Sequence, residues 1–295
     1  NDLAAVIANA IDAKAMLGFS RLAEGDVVGA TRNLQIAFDK APGDAVVANA
    51  LANTMLRGGD AKGALVVAQR AAEAAPGNPL AFNLLGTIRL ANGDAAGARA
   101  AFDNALKIQP DYPSVRLNLA RLDIAEGRPE PARALYAEML KKNRADPVAM
   151  YESGLLEQRL GNLDEAIRWF EKAVAERPDD VSAGLALIRA KAASGEHAGA
   201  LEAAKALAAR RNTDLGVLEA LAESHIRVGD QRAAQQTLRD MTRLAGFDAP
   251  VLVRIGYLQL QAGAPGEAAY AAQKAIQGRP SDEAALVLDV EAALA

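Results

Sequence analysis

Apolar and polar positions along the chain recur at three- and four-residue intervals, and the whole pattern then repeats. From Phe82, apolar or small residues fall at Leu85, Gly86 and Leu90, and after a polar break again at Ala98, Ala101, Phe102 and Ala105. That is the spacing of one face of an α-helix, written twice on either side of Gly93. Gly25, Gly59, Gly93, Gly127, Gly161, Gly195, Gly229 and Gly263 stand at intervals of 34 residues, and five residues after each comes an alanine, from Ala30 to Ala268. Seven residues before each glycine sits a mostly small residue: Gly18, Ala52, Gly86, Ala120, Gly154, Ile188, Ala222 and Gly256. Each period therefore predicts two helices, the first ended by a glycine that adopts positive φ without a Cβ clash. The second is ended by Pro42, Pro76, Pro110, Pro178 or Pro280, because proline cannot continue the helical ladder. Arg144, Asn212 and Gly246 replace the proline in the other three periods, and the stretches 210–213 and 246–248 are where irregularity is expected.

A single pair of helices cannot bury its apolar side, so such units stack on their neighbours as a one-dimensional array. The predicted fold is all-α, with eight 34-residue helix-turn-helix units starting at 11, 45, 79, 113, 147, 181, 215 and 249 and covering 11–282. Residues 1–10 read as an N-terminal helical extension or the remnant of a preceding unit. Residues 283–295 read as the first helix of a ninth unit or a cap, with Leu286 and Val290 on an apolar side that no second helix covers. A segment cut from a longer array is expected, and self-association through the end helices with it.

Composition fits thin helical layers: 51% of residues are hydrophobic, yet only 4% are aromatic and alanine dominates. Zero cysteines exclude disulfides, thiolate metal sites and cysteine nucleophiles within these residues. With 33 basic against 37 acidic side chains and no basic stripe, nucleic acid is not an expected partner. The hydrophobic opening from Leu3 to Leu17 is interrupted by Asp12 and Lys14, so no membrane insertion by this segment is expected. Phosphate-loop, dinucleotide-fold and nucleophile-elbow motifs do not occur, so the reading is non-enzymatic, with no catalytic residue, cofactor or metal. His197 and His225 are 28 residues apart, which is not a metal-ligand spacing. Consecutive Glu223, Ser224 and His225 point about 100° apart on a helix, cannot converge as a triad, and read as ordinary surface. Asp44, Asp146, Asp179, Asp180, Asp214, Asp248 and Asp282 lie in turns and are expected to cap the helices that follow.

The residues Phe82, Leu85-Gly86, Gly93-Asp94, Ala98, Phe102, Ala105 and Pro110 resemble the tetratricopeptide repeat, as do Gly154, Gly161-Asn162, Ala166, Phe170, Ala173 and Pro178. The resemblance implies a right-handed superhelix, an α-solenoid, that binds protein or peptide segments on the concave surface lined by the first helix of each unit. Counted on this chain, the inward positions are Asn49, Asn53, Arg57, Asn83, Thr87, Asn118, Arg121, Tyr151, Arg159, Arg189, Arg227 and Tyr257, together with Phe19, Leu22, Glu152, Leu155, Glu219, Glu223 and Arg254. Asparagine amides pair with an extended backbone and arginine forks with carboxylates, so the expected ligand is an extended, partly acidic segment. The lysine that a C-terminal carboxylate clamp needs beside Asn49 and Asn53 is missing.

The run from Pro110 through Asp123, with Glu126-Gly127-Arg128-Pro129 and Ala166 to Val174, is similar to the bacterial tetratricopeptide lipoproteins of exosortase (PEP-CTERM) exopolysaccharide systems. That similarity implies a periplasmic or outer-membrane-tethered scaffold assisting polysaccharide or surface-protein export; without it, the cytoplasm is the expected place. The alternative is the regulatory or substrate-recruiting portion of a larger enzyme.

Overall fold

The computed structural model describes the backbone from Asp2 to Ala295 and the side chains from Asp12 onward; Asn1 and the other side chains of the expected 1–10 extension lie outside the described residues. Seventeen α-helices and no strand occur among the described residues. Eight of them follow in the first part of the chain: α1 (Asp2–Ala23), α2 (Val27–Lys40), α3 (Ala45–Arg57), α4 (Ala61–Ala74), α5 (Pro79–Ala91), α6 (Ala95–Ile108), α7 (Pro113–Ala125) and α8 (Pro129–Lys142). The rest are α9 (Pro147–Arg159), α10 (Leu163–Glu176), α11 (Val181–Ala193), α12 (His197–Ala208), α13 (Leu215–Arg227), α14 (Gln231–Leu244), α15 (Ala249–Gln261), α16 (Pro265–Gly278) and α17 (Glu283–Leu294). The chain divides between Lys142 and Asn143 into two compact units, α1–α8 and α9–α17.

Helix length follows directly from the turn residues. All eight glycines of the 34-residue series have φ between +69° and +87°. At Gly93 the glycine N–H donates to Leu90 O and the Asp94 N–H to Arg89 O, at 2.9 Å each, closing the last turn of α5. Asp94 then opens α6, its carboxylate accepting from the Gly97 N–H at 2.8 Å. Asp26, Asp60 and Asp230 do the same for α2, α4 and α14. Three residues into α4 and α6 the capped residue is itself glycine, and a Cβ there would stand 2.1 Å and 2.0 Å from the capping carboxylate. At α14 that residue is Ala233, and its cap bond lengthens to 3.1 Å.

The turns between units behave likewise. Asp44, Asp146, Asp180, Asp214, Asp248 and Asp282 cap the next helix with their side chains, as expected. Asp179 does not: its carboxylate takes an ion pair from Arg211 at 3.2 Å, because the next residue already occupies the cap position. Where Asn212 replaces the closing proline, α12 has 12 residues against 14 in α10 and α14. At Gly246 the chain turns with φ +58°.

Each unit is held by apolar layers between successive helices. In α1–α8 the layer includes Leu34, Phe38, Leu51, Val67 and Ile88, continued by Phe102, Val115 and Leu119. In α9–α17, Ile167, Phe170 and Leu187 form one layer and Leu238, Leu252, Ile255 and Leu288 another. Where the position seven residues before a turn glycine is itself glycine, smallness has a steric reason. A Cβ at Gly86 would meet the Phe102 ring at 2.4 Å, and one at Gly154 the Phe170 ring at 2.5 Å. On α17, Ala285, Leu288 and Ala292 are buried, whereas Leu286 and Val290 are exposed.

Candidate functional site

In the first unit, α3 packs on α5 and α5 on α7, so the polar residues of these three helices share a continuous exposed flank. Asn49 and Asn53 lie one turn apart on α3, and the Asn53 amide donates to Asn49 Oδ1 at 3.0 Å and to its backbone carbonyl at 2.8 Å. Between helices, Asn118 Nδ2 on α7 donates to Asn83 Oδ1 on α5 at 3.0 Å. The Thr87 hydroxyl donates to the Asn83 carbonyl at 2.9 Å. Arg57 and Arg121 are exposed on α3 and α7. The surface is thus a ladder of side-chain amides that retain free donors and acceptors, flanked by guanidinium groups.

In the second unit, α11, α13 and α15 pack in series and enclose a hollow of about 440 Å³. Five charged side chains line it: Arg189 from α11, Glu219, Glu223 and Arg227 from α13, and Arg254 from α15. They meet because Glu219, Glu223 and Arg227 are spaced at four residues, one above another on a helix face. Ala192, Ala193, Gly216 and Ala220 leave room in front of them. Arg254 Nε pairs with Glu219 Oε1 at 3.2 Å, and the Glu219 side chain is only 20% exposed. Burial pushes the Glu219 carboxyl above its ordinary value; Arg254 and Arg189 oppose that rise and Glu223 adds to it. The side chains of Arg189 and Arg227 make no hydrogen bond or contact ion pair with any described residue.

The remaining positions do not join this hollow. Tyr151 on α9 is half-buried, its ring 5.9 Å from that of Phe170 and tilted 46°, so it belongs to the packing layer. Arg159 is exposed in the last turn of α9. Tyr257 on α15 points to α17, where partial burial and, after it, Glu291 push its hydroxyl up. Glu152 and Leu155, expected on the inward face, are corrected: Glu152 is buried and Leu155 packs against the layer of Ala166 and Phe170. Leu22 likewise packs on the first unit's core, while Phe19 is exposed.

The surface reading holds for Glu223, which is exposed, and is corrected for Ser224 and His225. Ser224 and His225 are buried, at 3% and 6% exposure, with the serine hydroxyl donating to Ala220 O at 2.7 Å. His225 Nδ1 is 3.4 Å from Asp230 Oδ2 but makes no hydrogen bond, and burial holds the imidazole below its ordinary pKa. The small floor of the hollow was missed from sequence, although the run of alanines ending α11 and Gly216 opening α13 were its signal.

The tetratricopeptide repeat family matches the chain over residues 21–88, 89–151 and 148–180, which together span more than half of it. A tetratricopeptide repeat protein from Parabacteroides merdae is 20% identical with a TM-score of 0.50, covering 97% of this chain and 99% of its own. The C-terminal part of a repeat-containing protein from Cytophaga hutchinsonii is 13% identical, TM-score 0.60, covering 80% of this chain and 97% of that one. A chain of the APC/C hetero-tetramer Cut9–Hcn1 is 15% identical, TM-score 0.51; the match covers 90% of this chain but only 52% of that one, about half its length. These likenesses are of fold. No curated protein is significantly similar to the sequence.

Proposed function

The chain belongs to the tetratricopeptide repeat proteins, and on that premise we propose that it is a non-catalytic scaffold holding extended segments of other proteins against the exposed flank of its first helices. The observation that carries the reading is the set of polar side chains on that flank: the Asn83–Asn118 amide pair in one unit and the hollow lined by Arg189, Arg227 and Arg254 in the other. Amides that both donate and accept match the backbone of an extended chain, and guanidinium forks match its carboxylates. On the second helices α10 and α12, by contrast, exposed Arg168 pairs with Glu165 and Lys205 with Glu202, three residues away.

Photo-crosslinking tests this directly. A crosslinker placed at Asn53 or Thr87, both exposed on first helices, is expected to trap partner segments in source cells; one at Val66 or Arg168, exposed on second helices, is not. Equal trapping at all four positions overturns the proposal.

A finer reading, assistance to exopolysaccharide or PEP-CTERM protein export from a periplasmic, membrane-tethered position, rests on the resemblance of the two runs named above. Within Ala166–Val174, the residues Ala166, Ile167, Phe170 and Ala173 are buried packing positions, so the likeness there has to be sought in Arg168, Glu171 and Lys172. Cell fractionation separates this reading from a recruiting segment of a larger cytoplasmic enzyme: recovery with a lipid-modified, membrane-bound protein supports export, and recovery in the cytosol excludes it.

A further inference from the structure

The hollow between α11, α13 and α15 has an imbalance that its own side chains do not resolve. Arg254 is occupied by Glu219 at 3.2 Å. That leaves Arg189 and Arg227 facing the space with Glu223 as the one carboxylate lining the hollow that is not engaged in a contact ion pair with a described residue. Glu223 is one turn before Arg227 on the same helix and beside Glu219, whose carboxyl it pushes further up. It therefore neutralises at most one of the two guanidinium groups.

The shape adds a second observation. The floor is made of Ala192, Ala193, Gly216 and Ala220, side chains too short to reach the arginines. A Cβ added at Gly216 would meet only Asp214 Oδ1, at 3.3 Å, so the approach over this residue is open. At about 440 Å³ the space is that of a small-ligand pocket. It sits on the flank along which a bound segment runs.

We propose that this hollow is a specificity subsite for an internal aspartate or glutamate of an extended protein segment, whose carboxylate is received between Arg189 and Arg227. The proposal rests on the first-helix flank being the binding surface and adds what it selects. A carboxylate here completes an alternation of charge, with Glu219 on Arg254 and the ligand on the two remaining arginines. Partial enclosure strengthens these charge-assisted bonds relative to the same contact in open solvent. The small floor lets the segment's backbone approach close enough for a side chain of glutamate length to reach in.

The test uses the whole chain with ¹⁵N-labelled arginine and backbone, titrated with three blocked 15-residue peptides of serine, glycine and alanine that carry glutamate, glutamine or phosphoserine at the central position. The glutamate peptide is expected to shift the Nε–Hε signals of Arg189 and Arg227 saturably while those of Arg57 and Arg159 stay in place. The glutamine peptide should bind about tenfold more weakly. Arg189→Gln with Arg227→Gln should abolish the discrimination between these two peptides while leaving the unfolding midpoint unchanged. Response to phosphoserine alone, or equal movement of Arg57 and Arg159, overturns the carboxylate subsite. If the peptides shift backbone amides of α3, α5 and α7 but leave Arg189 and Arg227 silent, the subsite fails and the binding flank stands. Silence on every first helix counts against both.

Discussion

A glycine in mid-helix ordinarily weakens it, yet Gly86 and Gly154 sit in the middle of α5 and α9 because an aromatic ring from the partner helix occupies the place of their side chains. Gly86→Ala is expected to destabilise the protein by ~1–3 kcal/mol through overpacking against Phe102, measured by urea unfolding. Gly77→Ala, in a turn where nothing lies within 4 Å of the added Cβ, should instead be neutral or stabilising by about 0.4–1 kcal/mol. Equal effects of the two changes would refute the steric account. His225 offers a test in pH. Its folded pKa is held below the ordinary value by burial, with Lys205 acting the same way and Asp230 opposing. As pH falls through about 6.5 the unfolded chain takes up the proton first, so stability present above that value is lost on acidification. His225→Gln should flatten the decline in melting temperature between about pH 7 and the folded pKa; an unchanged slope would show that another group carries it.

At the level of the helix, four of the eight turns within helix pairs are built from two adjacent residues. A glycine closes one helix and an aspartate opens the next, as at Gly59-Asp60 and Gly93-Asp94. Removing the cap with Asp60→Ala should cost about 1 kcal/mol in chemical denaturation. Asp103→Ala, on an exposed position of α6, should stay within about 0.5 kcal/mol. A cap variant as benign as the surface control would mean that the turn hydrogen bonds alone fix the helix start. The glycines of these boundaries, and most aspartates of the turns between helix pairs, were legible in the sequence because a turn is a local matter, decided by φ and by side chains two or three residues away. The capping role of Asp26, Asp60, Asp94 and Asp230 was not drawn from the pattern, although the spacing to Gly29, Gly63, Gly97 and Ala233 displayed it. Asp179 and Asp180 show the limit of such reading, since two adjacent aspartates compete for one cap and only the folded chain decides which one takes it.

For the molecule as a whole, layers between neighbouring helices imply that a local defect is felt locally. In Gly86→Ala, hydrogen exchange should accelerate in α4–α7, while amides of α13–α16 in the other compact unit keep wild-type rates; uniform acceleration would indicate global cooperativity instead. The all-helical class and the helix pairs were determined by the chain itself, because a 34-residue recurrence of glycine, alanine and proline acts through short-range geometry that each stretch enforces on its own. The binding surface divides differently. Counting along helices placed Arg189, Glu219, Glu223, Arg227 and Arg254 among the inward residues, but it equally placed Glu152, which is buried, and Tyr257, which turns to Glu291 on α17. That Arg254 is taken by Glu219 while Arg189 and Arg227 are left facing a hollow was decided only when three helices came side by side. Charge pairing depends on distances across the stack, and no periodicity within one helix records them.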